Sequence, residues 1–135
     1  MADKTFHLTI MSPDRTFYDG DVTMLEFTSS EGELGIYADH MPFTTVLVPG
    51  VAVIHELDGE KKAAVHSGFV EILPEKVMML AEVAEWPEEI DINRANEARI
   101  RAERRLGGNG TETTLDVDRA ELALKRALTR IKVMG

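Results

Sequence analysis

Cysteine is absent from the 135 residues. That removes disulfides and thiolate metal sites from the possibilities and leaves the redox compartment open. No apolar run approaches the roughly 20 residues that a membrane-spanning helix needs, so no direct membrane insertion is expected. Low-complexity tracts are missing too. The opening residues Met1-Ala2-Asp3-Lys4-Thr5 have neither the charged-then-apolar layout of a signal peptide nor the arginine-rich one of a transit peptide. A cytosolic protein is expected, attached to a membrane only through a partner.

What is present is the composition of a soluble globular chain, 44% hydrophobic and 29% charged. The length suits one domain or a small domain with an appendage. The net charge of −9 is unevenly spread: residues 1–89 hold 17 acidic and 5 basic side chains, residues 90–135 hold 7 and 10. An acidic body with a basic tail implies two parts with different partners. No nucleic acid is expected as one of them, because the acidic body repels a phosphate backbone.

The first part reads as short strands. Phe6, Leu8 and Ile10 alternate with His7 and Thr9, the period of a half-buried strand. Pro13-Asp14 and Asp19-Gly20 punctuate, and residues 22–27 form another strand candidate. Residues 51–57 and 61–66 flank Asp58-Gly59, which suits a two-residue hairpin turn because glycine accepts positive φ. Residues 69–73 and 77–83 flank Pro74-Glu75-Lys76, a second hairpin. Closely spaced strands without helical period predict an antiparallel β-sandwich or barrel over residues 1–86. Met78-Met79 reads as strand core, and Trp86 as a packing residue beside the junction.

After Trp86-Pro87 the period changes. Asp91 suits the N-cap of a helix running to Leu106, with apolar positions at Ile92, Ala95, Ala98, Ala102 and Leu106. Gly107-Gly108-Asn109-Gly110 stops it, and residues 111–114 are polar loop. Asp116 or Asp118 can cap a second helix, with Val117, Ala120, Leu124, Ala127, Leu128 and Ile131 at three- and four-residue spacings. Residues 87–135 are thus predicted to form an antiparallel two-helix hairpin, an α appendage on a mainly β chain. Its inner stripe is mostly alanine. A buried methyl contributes on the order of 0.8 kcal/mol, against roughly 1.5–3 for a buried leucine. Such a hairpin is expected to be marginal alone and able to detach.

The basic residues have a pattern. Arg126 and Arg130 are four apart and share a helix face, and Arg94 and Arg101 are two turns apart on the first helix. Folding the hairpin can gather these guanidiniums around a polyphosphate, since their donor fork matches phosphate oxygens. The same residues also suit a solvated face paired with Glu97, Glu103 and Glu121. Catalysis finds little support. His7, His40, His55 and His66 lack metal-ligand spacing, and a turn at Asp58-Gly59 sets His55 against Lys62 and His66 against Val51. Ser67 lies in Ser67-Gly68-Phe69, which is not a nucleophile elbow. No phosphate-cradling glycine loop with lysine is present, so any nucleotide is expected to bind without hydrolysis.

Two stretches carry a family resemblance. One is Ser30-Glu31-Gly32-Glu33-Leu34-Gly35-Ile36, followed by His40, Pro42 and Pro49-Gly50; the other is Val65-His66-Ser67-Gly68-Phe69-Val70-Glu71-Ile72. In order and spacing both resemble signature segments of the epsilon subunit of bacterial F-type ATP synthases, and the sandwich-then-hairpin plan extends the likeness over the whole chain. The resemblance implies a non-catalytic rotor-stalk subunit at the cytoplasmic face of the plasma membrane. It would bind the gamma subunit and the c-subunit ring, and meet the catalytic β and α subunits when its hairpin extends. The loop from Glu33 to His40 would face the ring, with Glu33 and His40 as its contacts.

Ile90-Asp91-Ile92-Asn93-Arg94-Ala95 also resembles the pattern of epsilon subunits that bind ATP in the folded hairpin, and residues 119–130 resemble the second-helix part of that site. By position the implied contacts are Glu85, Ile90, Asp91, Arg94, Ala95, Arg101, Arg126 and Arg130. ATP, with or without Mg2+, would be a regulatory ligand and no cofactor would be required. Folded, the hairpin would leave the motor free; extended along gamma, it would block hydrolysis. A free-standing nucleotide-sensing module that joins no motor is the alternative reading.

Overall fold

The structure, a computed structural model, describes residues 4–107 and 114–135. Eight strands are followed by a short 3-10 turn at Pro87–Glu89 and two helices: β1 Phe6–Ser12, β2 Arg15–Val22, β3 Met24–Ser29, β4 Gly32–Tyr37, β5 Phe43–Leu47, β6 Gly50–Glu56, β7 Gly59–Ile72, β8 Lys76–Glu85, α1 Ile92–Leu106 and α2 Thr114–Met134. The strands form one hydrogen-bonded sheet in the order β2-β1-β8-β7-β5-β3-β4, with β6 bridging β3 and β7. That sheet folds over on itself as a β-sandwich. Antiparallel pairing dominates as expected, and β1 against β8 is parallel, with Leu8 opposite Val77 and Ile10 opposite Met79. The alternation of β1 puts Phe6, Leu8 and Ile10 in the core.

Some sequence expectations shift. Asp19-Gly20 lies inside β2, and β3 begins at Met24 rather than Val22. The β6–β7 turn is Leu57-Asp58, with Glu56 opposite Gly59 and His55 opposite Glu60. Gly59 takes the positive φ of 159° just past the turn. The segments expected at 61–66 and 69–73 belong to one strand of 14 residues, β7. Gly32–Tyr37 forms β4 instead of the expected loop, so Glu33 and His40 stand at opposite ends of a strand.

A bend in β7 organises the molecule. Its core residues are odd-numbered before the bend (Ala63, Val65) and even-numbered after it (Val70, Ile72). The parity changes across Ser67 and Gly68, whose φ values are 47° and 151°. The partner strand β8 switches likewise, from Val77, Met79 and Ala81 to Ala84. Two consecutive positive φ values turn the strand without breaking its register, because His66 still faces Val83 and Gly68 faces Ala81. The half of β7 before the bend pairs with β6 and the half after it with β5.

The outer surface of the sheet then divides at the bend. On one side, directly paired residues form an exposed apolar row across four strands. Met11 faces Leu80, Leu80 faces Phe69 and Phe69 faces Val46; exposures run from 37% at Met11 to 58% at Phe69. Met78, expected in the core beside Met79, joins this outer face, while Met79 is buried. On the other side Ala64 and His66 are buried outside the sandwich core, because α2 packs on β6 and β7.

The helices form as their caps and periods dictate. The Asp91 side chain accepts from the backbone N–H of Asn93 and Arg94 and so starts α1, which ends at Leu106 before Gly107. Gly108 to Gly110 and residues 111–113 lie outside the described residues. Asp116 sits in the first turn of α2 and Asp118 beyond it, so neither is the cap. Ala95 and Ala102 on α1, and Ala120 and Ala127 on α2, are buried at seven-residue spacing, the small-residue seam expected. Arg130, near the end of α2, lines a cleft with Arg94 at the start of α1, so the helices run antiparallel.

Gly68 leaves no room for a side chain: an added Cβ would lie 1.8 Å from the carbonyl oxygen of Leu80. Gly68→Ala is therefore expected to destabilise the fold by more than about 4 kcal/mol, read as a fall in the urea unfolding midpoint. An unchanged midpoint would contradict this view of the bend.

Candidate functional site

Where β8 runs into α1, the chain forms a cleft of about 410 Å³ lined by Glu85, Glu89, Ile90, Asp91, Arg94, Ala95, Ala98, Arg101 and Arg130. That volume is within the range of small-molecule sites. Each element contributes for a local reason. The N-cap Asp91 and the α1 residues 94, 95, 98 and 101 recur at three and four, so one helix face looks into the cleft. Ala95 and Ala98 on that face are small and leave the space open. Glu85 ends β8, and Arg130 reaches across from α2.

The linker that carries Glu89 is tied down by the β1–β2 hairpin. The register shifts after Ile10, so that Met11 pairs with Thr16 and Phe17 is left over in β2. Phe17 stacks on Trp86 with centroids 4.1 Å apart, which gives Trp86 the junction role expected of it. Arg15 donates to the Ala84 carbonyl at 3.2 Å and to Glu89 Oε1 at 2.8 Å. Its guanidinium holds the Glu89 carboxyl below its ordinary range, with the Trp86 N–H adding to the effect.

Electrostatically the cleft holds three carboxylates and three guanidiniums, and most are already engaged. Glu89 is paired with Arg15. Asp91 spends Oδ1 on the helix cap. Glu85 Oε1 accepts from Arg130 Nε at 2.8 Å and from His66 Nε2 at 3.1 Å. Burial opposes ionisation of Glu85, yet the hydrogen bonds from His66 and Arg130 outweigh it and keep its carboxyl below the usual value. Arg94 and Arg101 are different: among the described residues neither makes an ion pair. Two uncommitted guanidiniums on one helix face give the cleft an appetite for an anion.

Of the eight expected ligand contacts, seven line this cleft and Arg126 does not. Arg126 extends to Glu82, its Nη2 donating to Oε2 at 3.2 Å, and its buried Nε has no partner among the described residues. Glu82 lies one residue beyond Ala81, at the bend, and intercepts the arginine one helical turn before Arg130. The sequence reading missed Ala98 and Glu89. Ala98 was legible, being four after Arg94 and three before Arg101; Glu89 is placed by the Trp86 N–H at 2.8 Å, a local i to i+3 contact, and by Arg15, which no local pattern announces. Among the described residues none of Arg94, Arg101, Arg126 and Arg130 pairs with Glu97, Glu103 or Glu121 as the solvated-face reading expected; Glu103 pairs with Arg99 at 2.9 Å.

Glu33 and His40 stand apart from the cleft. Glu33 is exposed near the start of β4, and His40 is half-buried beyond its end, its Nδ1–H donating to the Met41 carbonyl at 3.0 Å. Among the described residues no group of three or more acidic, histidine or cysteine side chains is arranged to hold a metal ion. No helix among them is long and apolar enough to cross a membrane.

Comparison with known proteins covers the chain in two pieces. The family model described as ATP synthase, Delta/Epsilon chain, beta-sandwich domain matches residues 5–87, and the one described as ATP synthase, Delta/Epsilon chain, long alpha-helix domain matches residues 88–135. Similar curated proteins include the ATP synthase epsilon chain of Caldanaerobacter subterraneus subsp. tengcongensis, 43% identical over 97% of this chain and 94% of that one. That of Halalkalibacterium halodurans is 41% identical over 97% and 98%. Among solved structures, a chain of the Euglena gracilis mitochondrial ATP synthase (OSCP/F1/c-ring) superposes with a TM-score of 0.84 at 20% identity, over 97% of this chain and 82% of that one. At that identity the likeness is one of fold.

Glu85 links the hairpin to the sandwich through a charge, so the contact depends on pH. Its folded carboxyl titrates below its unfolded one, so the contact stabilises above about pH 4.3, the ordinary glutamate value, and fades as pH falls through the lowered folded value. The melting temperature of the protein should exceed that of Glu85→Gln at neutral pH, and the gap should close in acid. A constant gap would show that ionisation of Glu85 does not matter.

Proposed function

Because this chain belongs to the ATP synthase delta/epsilon family and is an epsilon-type subunit of the central stalk, we propose that it regulates the motor without catalysing a reaction, through a hairpin whose folded state binds ATP. The observation that carries the nucleotide half is the pair Arg94 and Arg101, unpaired among the described residues and facing a cleft that Arg130 also lines. A triphosphate supplies the acceptors these donors lack. Carboxylates at Glu85 and Asp91 suit the amino and hydroxyl donors of adenosine. Mg2+ would enter, if at all, on the phosphates.

The stalk half rests on the outer face of the sandwich. The apolar row Met11–Leu80–Phe69–Val46 is continuous over four strands and uncovered, a surface that a partner normally occupies. In an epsilon subunit the fitting partner is gamma. Glu33, exposed, and His40, half-buried, are the proposed contacts with the c-subunit ring. Peripheral attachment at the cytoplasmic face of the bacterial membrane follows from such an assembly.

Folded, the hairpin is held by an alanine seam and a few ionic contacts, a small stabilisation that a ligand can tip. ATP that binds the folded form alone adds RT ln(1 + [L]/Kd), about 2.7 kcal/mol at a hundredfold excess over Kd. When ATP is scarce the helices extend along gamma, bring their basic face to the catalytic β and α subunits, and oppose hydrolysis. Deleting residues 90–135 should raise ATP hydrolysis by the reconstituted complex; equal rates with and without the deletion would remove the inhibitory role.

Calorimetric titration with ATP tests the cleft itself. Arg94→Ala and Arg101→Ala should each weaken binding about tenfold or more, as expected for a lost hydrogen bond to a charged group. Arg126→Ala should cost less, since Arg126 must first leave Glu82. Absence of binding by the unaltered protein would refute the nucleotide reading and leave the stalk assignment in place.

A further inference from the structure

His66 belongs to no pattern in the sequence that carries chemistry, yet its setting is specific. The strand register explains how it meets Glu85. Ala64 lies opposite Glu85 and His66 opposite Val83, so His66 and Glu85 are diagonal neighbours on one face, within reach of long side chains. The bend at Ser67-Gly68 turns that face outward, and α2 covers it; His66 is 0% exposed. Its Nε2 lies 3.1 Å from Glu85 Oε1, and its Nδ1 is buried with no hydrogen-bond partner among the described residues.

These facts fix the imidazole chemically. Glu85 is ionised and can only accept, so the proton of a neutral ring sits on Nε2 and Nδ1 carries a lone pair. Oε1 then receives two donors, His66 from the strand side and Arg130 from the helix side. Two donors on one oxygen set the rotation of the carboxylate. Among the described residues no donor reaches Oε2 of Glu85, a residue that lines the cleft.

We infer that His66 is a positioning residue of the cleft: it locks the Glu85 carboxylate so that Oε1 holds Arg130 while Oε2 remains a fixed acceptor for an N–H or O–H of the bound ligand. This deepens the nucleotide reading of the cleft and rests on it. The histidine does not touch the ligand; it removes the freedom of a carboxylate that does. A pre-oriented acceptor loses less entropy when the ligand arrives, which is how positioning becomes affinity.

The test uses the full-length protein and two variants, His66→Leu, which fills the space without a donor, and His66→Gln, which restores one. ATP affinity is measured by calorimetry, the unfolding midpoint by urea titration, and the tautomer of His66 from its ring 15N shifts. The expected result is the Nε2–H tautomer in the unaltered protein, about a tenfold loss of ATP affinity in His66→Leu, and recovery of most of that loss in His66→Gln. Packing alone would make affinity follow the unfolding midpoint in both variants, and that correlation would overturn the inference. So would an Nδ1–H tautomer, or a leucine variant that binds as well as the unaltered protein. If the unaltered protein takes up no ATP, the reading of the cleft fails and the inference falls with it; binding unchanged by His66→Leu removes the inference alone.

Discussion

One carboxylate oxygen, Oε1 of Glu85, takes donors from both halves of this molecule. Arg130 reaches it from the last turns of α2 and His66 from beneath, out of β7. Among the described residues the other buried helix side chains are small, four alanines with Thr129 and Val133, and bury little apolar surface. A hydrogen bond to a charged group contributes roughly 1.5–3 kcal/mol, comparable to several buried methyls. Docking of the hairpin therefore leans on ionic contacts at Glu85 and Glu82, and contacts of that kind can be exchanged for a ligand's charges.

That arrangement depends on backbone geometry elsewhere. Because β7 bends at Ser67-Gly68, one continuous outer surface presents an exposed apolar row on one side and a covered patch on the other. The row is suited to a permanent partner and the patch to a reversible one. Placing both on neighbouring parts of a single strand pair puts the exposed row and the helix-covered patch within a few residues of each other. The β1–β2 hairpin completes the frame by fixing the linker: Phe17 against Trp86 and Arg15 against Glu89 hold the entrance of α1.

Much of this was readable in the sequence, and the parts that were not share a cause. Local periodicity and capping chemistry placed Asp91 and α1, the alanine seam and the arginines on one face, because those depend on residues within a few turns of each other. Strand alternation found β1. What escaped depends on register between distant strands. The turn at Leu57-Asp58 rather than Asp58-Gly59 moved the β6–β7 pairing by two residues. Capture of Arg126 by Glu82 and the meeting of His66 with Glu85 follow from how β7 and β8 bend together, which no window of sequence reports. The family resemblance supplied Glu85 as a ligand contact; only the pairing of Ala64 with Glu85 explains what holds it there.

The central claim is that the hairpin rests on the sandwich through these ionic contacts and that ATP holds it there. With no native cysteine, spin labels attached at Thr44→Cys and Asp118→Cys, both exposed positions, would report the separation of α2 from the sheet without further changes. A short docked distance that gains population on adding ATP, and loses it in Arg130→Ala, is the predicted result. A distance distribution indifferent to both ATP and Arg130→Ala would contradict the account.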